Sequence, residues 1–229
     1  MSTHATIEQN YRAISDAIVA ACARVNRDPR EVTLVAVSKT VGLSQVAVAI
    51  ELGIHDFGEN RTALFNEKCA AYPAEKWHFI GSIQTNKIKE FVGKAALVHS
   101  VASERALRAI ASRALGKGCI QKVLIEVNVS GEASKGGVTP AELPGLLHSA
   151  NDLEGIEVRG LMTMAPQGEP EVARATFAGL RELRDQLAPR FCTSGRVQLS
   201  ELSMGMSEDY VIAIEEGATI VRIGRGIWL

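Results

Sequence analysis

The feature that most constrains this chain is an alternation. A short run of apolar, β-branched residues is followed by a stretch with helical spacing, and the pair recurs from Val32 to the C-terminus. Strands joined by crossover helices run parallel, because each helix carries the chain back to the end where the previous strand began. Eight such units within 229 residues predict an α/β fold, a single (β/α)8 TIM-type barrel with an N-terminal helix, one domain over residues 1–229. An open doubly wound sheet is the alternative architecture.

The N-terminal helix is expected from Thr3 to about Arg27, with Ile7, Tyr11, Ile14, Ile18 and Val25 as its apolar stripe and Asp28-Pro29 as its end. The expected strands are Val32–Ser38, Ile54–Phe57, Trp77–Ile80, Ala96–Val101, Lys122–Val129, Ile156–Met162, Gln198–Leu202 and Thr219–Ile223. The intervening helices are expected at about Ser44–Leu52, Thr62–Ala71, Asn86–Val92, Ser103–Leu115, Glu169–Leu187 and Ser207–Glu216. One more begins near Thr139-Pro140-Ala141-Glu142, with Thr139 as cap and Pro140 in its first turn. The total is eight helices, counting the N-terminal one.

Composition excludes several classes of function. A net charge of −1 with no polybasic stretch lacks the footprint of a nucleic-acid binder, and 5% aromatic residues leave little for base stacking. No apolar run is long enough to span a bilayer. Cys22, Cys69, Cys119 and Cys192 are scattered without a CxxC pair, and no secretory signal is apparent. Reduced thiols and a cytoplasmic location are therefore expected. His55, Asp56 and Glu59 resemble metal ligands by type, but alternate strand residues point to opposite faces, so no metal is expected. Gly93-Lys94 and Gly116-Lys117 lack the flanking residues of a phosphate-binding P-loop.

The chemistry collects after the strands. Lys39 follows the first one, and Gly58-Glu59-Asn60-Arg61 and Gly81-Ser82-Ile83-Gln84-Thr85-Asn86-Lys87 follow the second and third. Asn128 and the run Ser130 to Gly137 follow the fifth, and Thr163-Met164-Ala165-Pro166 the sixth. Ser203-Met204-Gly205-Met206-Ser207 follows the seventh, and Arg222 with Gly224-Arg225-Gly226 closes the eighth. In a barrel these loops share the face where ligands bind. Lys39 at the end of an apolar strand is expected to lie in an apolar setting that favours its neutral, nucleophilic amine; the other reading is an ammonium that reaches solvent. Ser207 before a helix and the glycines after the eighth strand suggest a phosphate site, against a reading as a plain helix cap and turn. His78 is expected to be a packed core histidine, His99 is ambiguous, and Met162, Met164, Met204 and Met206 are expected to line the pocket.

The runs Val35-Ala36-Val37-Ser38-Lys39, Phe57-Gly58-Glu59-Asn60-Arg61, Trp77-His78-Phe79-Ile80-Gly81 and Gln84-Thr85-Asn86-Lys87 resemble the pyridoxal phosphate homeostasis protein family. So do Gly160-Leu161-Met162-Thr163-Met164-Ala165, Leu202-Ser203-Met204-Gly205-Met206-Ser207, Asp209-Tyr210 and Val221-Arg222-Ile223-Gly224. The resemblance covers nearly the whole chain in order. Ser82-Ile83, Thr62-Ala63-Leu64 and the ending Ile227-Trp228-Leu229 depart from the usual family pattern.

The resemblance implies an alanine-racemase-like barrel without that enzyme's second domain, and pyridoxal 5′-phosphate (PLP) as cofactor. Lys39 would hold PLP covalently as an internal aldimine. Ser207 and the backbone near Gly224 would bind its phosphate, and Arg222 would face the pyridine nitrogen. Asn60 would line the pocket near the ring, Met206 would wall its phosphate end, and Lys135 matches a family lysine suspected of a part in cofactor transfer. A cation beside the pyridine nitrogen weakens the electron sink. Racemisation also needs a second base, and Tyr11, Tyr72 and Tyr210 all fall in predicted helices. The expected function is therefore to buffer and deliver PLP, without substantial catalysis, to apo-PLP enzymes as partners, from a monomer with no nucleic-acid or membrane contact. The alternatives are a small PLP-dependent amino-acid racemase and a PLP-free Schiff-base enzyme acting on a phosphorylated substrate.

Overall fold

A computed structural model describes residues 3–132, 135–193 and 195–229. Ala133 and Ser134, in the loop run noted after the fifth strand, lie outside the described residues. Eight strands close into a parallel barrel in chain order: β1 (Thr33–Val37), β2 (Asp56–Glu59), β3 (Lys76–Phe79), β4 (Leu97–Val101), β5 (Gln121–Glu126), β6 (Ile156–Met162), β7 (Val197–Ser203) and β8 (Ile220–Ile223). Closure comes from β8 pairing with β1 over Thr33↔Ile220 to Ala36↔Ile223.

Among the described residues the helices are α1 (Thr3–Arg24), α2 (Leu43–Glu51), α3 (Thr62–Ala71), α4 (Ile88–Phe91), α5 (Glu104–Leu115), α6 (Leu143–Asn151), α7 (Pro170–Phe191), α8 (Tyr210–Glu215) and α9 (Arg225–Trp228). The glycine-rich segment after β8 thus winds into a further short helix, one more than the sequence pattern predicts. α1 stops at Arg24, earlier than expected; Asn26 takes a left-handed φ of 53°, and Asp28 caps a separate 3-10 turn at Pro29–Glu31. β2 begins and ends two residues later than expected. α7 runs through Pro189 instead of stopping at Leu187, and Asp185, whose carbonyl the proline cannot bond, is exposed. Thr139 and Glu142 do exchange hydrogen bonds, but around a single turn ahead of α6, so Pro140 precedes the helix.

Two apolar clusters show which face of each strand is which. The larger joins the helices to Ala36, Phe57, Trp77, Phe79, Val98, Ile125, Val158, Val197, Leu202 and Val221 on the outer wall of the barrel. A small inner cluster holds Val35, Leu97, Leu124, Met162 and Ile220, with Met164 against it. Met204 belongs to the outer cluster, so it does not line the barrel mouth as expected.

Strict alternation would put Val158 with Met162, and Val197 with Ser203, on the same face. The register shifts between Val158 and Gly160, and Leu199 has φ 50°. These bulges reverse the phase, so Val158 and Val197 face the helices while Met162 and Ser203 face inward. Gly160 sits at the shift, where a Cβ would lie 1.9 Å from the carbonyl oxygen of Glu201.

Gly160→Ala is expected to lower stability by about 2 kcal/mol or more. Gly145→Ala, exposed in α6 with nothing near its Cβ, is expected to add roughly 0.5–1 kcal/mol. Urea unfolding midpoints of both variants check the pair.

Candidate functional site

The C-terminal ends of the strands bring the predicted residues to one mouth. Lys39 lies two residues beyond β1, Asn60 directly follows β2, Thr163 follows β6, and Met206 and Ser207 lie in the turn after β7. Arg222 lies in β8, where it pairs with Val35 of β1, and Gly224 follows β8.

Lys39 is exposed in the turn after β1. The apolar setting expected for its amine is absent, because the strand ends at Val37 and the chain turns outward. What is buried is its neighbour. Lys68 on α3 donates from Nζ to the Ser38 carbonyl at 2.7 Å and forms a buried ion pair with Glu59. Ser38 Oγ donates to Glu59 Oε1 at 3.0 Å, and the Asn60 backbone N–H donates to Oε2 at 3.2 Å. The carboxylate is hydrogen-bonded at both oxygens, as a buried charge requires. The cluster fixes the backbone that carries Lys39 and Asn60. Sequence reasoning missed Lys68, since a lysine in an ordinary helical run gives no sign of burial.

Asn60 Oδ1 is buried with no hydrogen-bond partner, alone in this among the side-chain polar atoms of the described residues. Leaving such an acceptor unpaired costs about 1–3 kcal/mol, which points to a group that supplies a donor there. The residue cannot easily retreat: Gly81 comes so close that a Cβ there would lie 2.1 Å from the Asn60 carbonyl oxygen.

Arg222 is buried and doubly tied. Nη1 donates to Ser203 Oγ at 2.7 Å and Nη2 to the Thr163 carbonyl at 3.1 Å. Burial brings its pKa down to about 10, against the opposing charges of Asp209 and Glu126. Those carboxyls are in turn pushed up by burial, which outweighs the charge of Arg222. Glu126, at the end of β5, escaped sequence reasoning because the alternation of that strand reads as ordinary.

The turn after β7 is arranged differently from the prediction. α8 begins at Tyr210, so Ser207 is not its cap. The Met206 N–H donates to Asp209 Oδ1, and Ser207 Oγ accepts from the Gly226 N–H at 3.2 Å, joining the β7 and β8 loops. Tyr11 lies in α1 as expected and Tyr210 opens α8, but Tyr72 falls one residue past α3, where its hydroxyl donates to the Leu43 carbonyl. Asn128 ties the β5 loop through Nδ2 to the carbonyls of Glu132 and Lys135, so the Lys135 backbone is anchored. His55, Asp56 and Glu59 do not converge: they bond Glu75, His78 and Lys68 respectively.

His78 is not simply packed. Its Nε2 lies 3.0 Å from Asp56 Oδ1, and its Nδ1 lies 2.9 Å from His99 Nε2. Nδ1 of His99 lies 2.9 Å from Ser203 Oγ. A hydrogen-bonded chain therefore crosses the barrel from Asp56 at the start of β2 to Arg222 at the mouth.

The profile described as alanine racemase, N-terminal domain, matches residues 6–229. A pyridoxal phosphate homeostasis protein of Aquifex aeolicus is 44% identical over 217 residues, covering 92% of each chain. That of Escherichia coli K12 is 34% identical over 235 residues, covering 97% of this chain and 95% of its own. The structure of PipY from Synechococcus elongatus with PLP bound superposes with a TM-score of 0.81 at 31% identity, covering 93% of this chain and all of that one. This chain belongs to the pyridoxal phosphate homeostasis protein family, built on the alanine racemase N-terminal fold. Alanine racemase of Corynebacterium glutamicum, 16% identical with a TM-score of 0.74, shares the fold.

Burial, reinforced by the Arg222 charge, holds the pKa of His99 well below the usual histidine value. The unfolded chain takes up a proton near pH 6.5 that the folded ring refuses. Stability should therefore fall below that pH, by up to about 1.4 kcal/mol per pH unit from this group alone. Melting temperatures between pH 8 and 5 are expected to drop further for the wild type than for His99→Asn; parallel curves would contradict this.

Proposed function

We propose that this protein binds PLP at the barrel mouth and serves as its carrier and buffer. The observation that carries the reading is Arg222, a buried guanidinium locked in place on the strand beside the one that leads to Lys39. Family membership and a relative with PLP bound support it. PLP, when bound, supplies an aldehyde that links to a lysine amine and a ring that can withdraw electrons.

In this reading Lys39 provides the amine, and its exposure leaves the Nζ accessible to an incoming aldehyde. The Lys68–Glu59–Ser38 cluster holds the Lys39 backbone. Asn60 Oδ1 accepts a hydrogen bond from the cofactor's ring substituents, which ends its isolation. Ser207 Oγ and the backbone N–H groups near Gly224 take the phosphate, with Met206 beside them. Arg222 meets the pyridine nitrogen with a cation that is tied to Ser203 and Thr163. That cation disfavours a proton on the ring nitrogen, so charge building at a substrate carbon is poorly absorbed. The site is thus suited to holding the cofactor and releasing it to enzymes that lack it. Lys135, whose loop is anchored through Asn128, is the candidate for a part in release.

Purified protein with added PLP is expected to show a visible absorption band that Lys39→Ala lacks. Borohydride reduction followed by peptide mapping should place the adduct on Lys39. Incubation of the loaded protein with L-alanine in deuterated water should give no substantial α-proton exchange. Absence of the band in the wild type, or an adduct elsewhere, would overturn the binding reading; rapid exchange would overturn the carrier reading.

A further inference from the structure

The binding reading leaves the two barrel histidines unexplained. Both are buried, on adjacent strands β3 and β4, and among the described residues their ring nitrogens bond only to other polar side chains. Their protons can be assigned from the partners. Burial raises the Asp56 carboxyl, but the His78 hydrogen bond and the Lys76 charge outweigh it and hold the pKa below the usual range. The carboxylate can therefore only accept, and His78 Nε2 must donate. Where both rings are neutral, with one proton on each, His78 Nδ1 is then an acceptor and His99 Nε2 the donor to it; a doubly protonated His78 would instead donate from Nδ1 and reverse the chain. His99 Nδ1 is left bare and accepts the Ser203 hydroxyl proton. The Ser203 oxygen, its proton committed to His99, presents a lone pair to Arg222 Nη1. All donors point one way, from Arg222 to Asp56.

We propose that His99 is a positioning residue for Arg222, acting through Ser203, with its tautomer set by His78 and Asp56. In the other tautomer His99 Nδ1–H would donate to Ser203. The serine oxygen would then face two donors, with its own proton needing a new acceptor, and the bond to Arg222 would weaken. The same logic lets a buried aspartate fix a catalytic histidine's tautomer in serine proteases. The purpose of holding Arg222 rests on the PLP reading; the holding itself does not.

The test separates the two. Long-range proton–nitrogen NMR spectra of the wild-type protein without cofactor report the ring tautomers directly. Both rings are expected to carry the proton on Nε2, and an Nδ1-protonated His99 would overturn the proposal with no variant needed. Variants then probe each end of the ring. His99→Asn keeps an acceptor where Nδ1 stands, whereas His99→Gln reaches towards His78 and leaves Ser203 without one. Resolved, slowly exchanging Arg222 Nη–H signals are expected in the wild type and in His99→Asn. In His99→Gln and Ser203→Ala they should exchange roughly tenfold faster or more, the scale of one lost charged hydrogen bond. Wild-type exchange in both latter variants would overturn the proposal. With PLP added, the pH midpoint of the visible band should shift in His99→Gln and Ser203→Ala but not in His99→Asn. A protein that takes up no PLP fails the binding reading alone, because the cofactor-free spectra still decide the role of His99.

Discussion

The structure depends on the pairing of β8 with β1. Without it the sheet would have two open edges, and the loops after the first and last strands would lie at opposite ends of an open sheet. The four-residue register from Thr33↔Ile220 to Ala36↔Ile223 satisfies both edges and sets Arg222 beside Val35. The C-terminus is drawn in with it. Trp228 Nε1 donates to the Val37 carbonyl at 2.7 Å, and Asn10 of α1 donates to the carbonyls of Ile227 and Leu229. The segment that carries Lys39 is thereby held between the first and last elements of the chain.

Closure also creates an interior unlike an ordinary apolar barrel core. The inner apolar cluster is small, and much of the remaining space is taken by Asp56, His78, His99, Ser203 and Arg222. A buried polar chain of this kind is stable only when each member is satisfied, and here each donor meets an acceptor. Its members come from five different strands, so it also ties the staves of the barrel to one another. The contrast with Asn60 is informative. Where the barrel is designed to be complete, polar atoms are paired; at the mouth one acceptor is left open.

The functional reading joins two kinds of lysine. Lys68 is buried and spends its charge on fixing backbone, while Lys39 is exposed and keeps its amine available. The sequence marks both only as lysines. The site residues named by family resemblance lie at the ends of β1, β2, β7 and β8, on one face, as the strand–helix alternation requires. Of the supporting residues, Lys68 and Glu126 carried no such mark, and His99 and Ser203 stood out without a role, because the roles of all four are contacts between strands and helices distant in sequence.

By itself the sequence determined the array of strands and crossover helices, because periodicity of apolar residues is a local property that each segment carries independently. The order of the strands and the placement of the polar loops on one face follow from it. The phase of β6 and β7 was decided only in three dimensions. Simple alternation assigns Ser203 to the same face as Val197, and the bulge near Leu199 reverses this because the register between neighbouring strands must close around the barrel. The burial of Lys68 and the pairing of the barrel histidines were settled in the same way. Each is fixed by partners tens of residues away, and the energy of a buried charge or hydrogen bond resides in the pair, not in either residue alone.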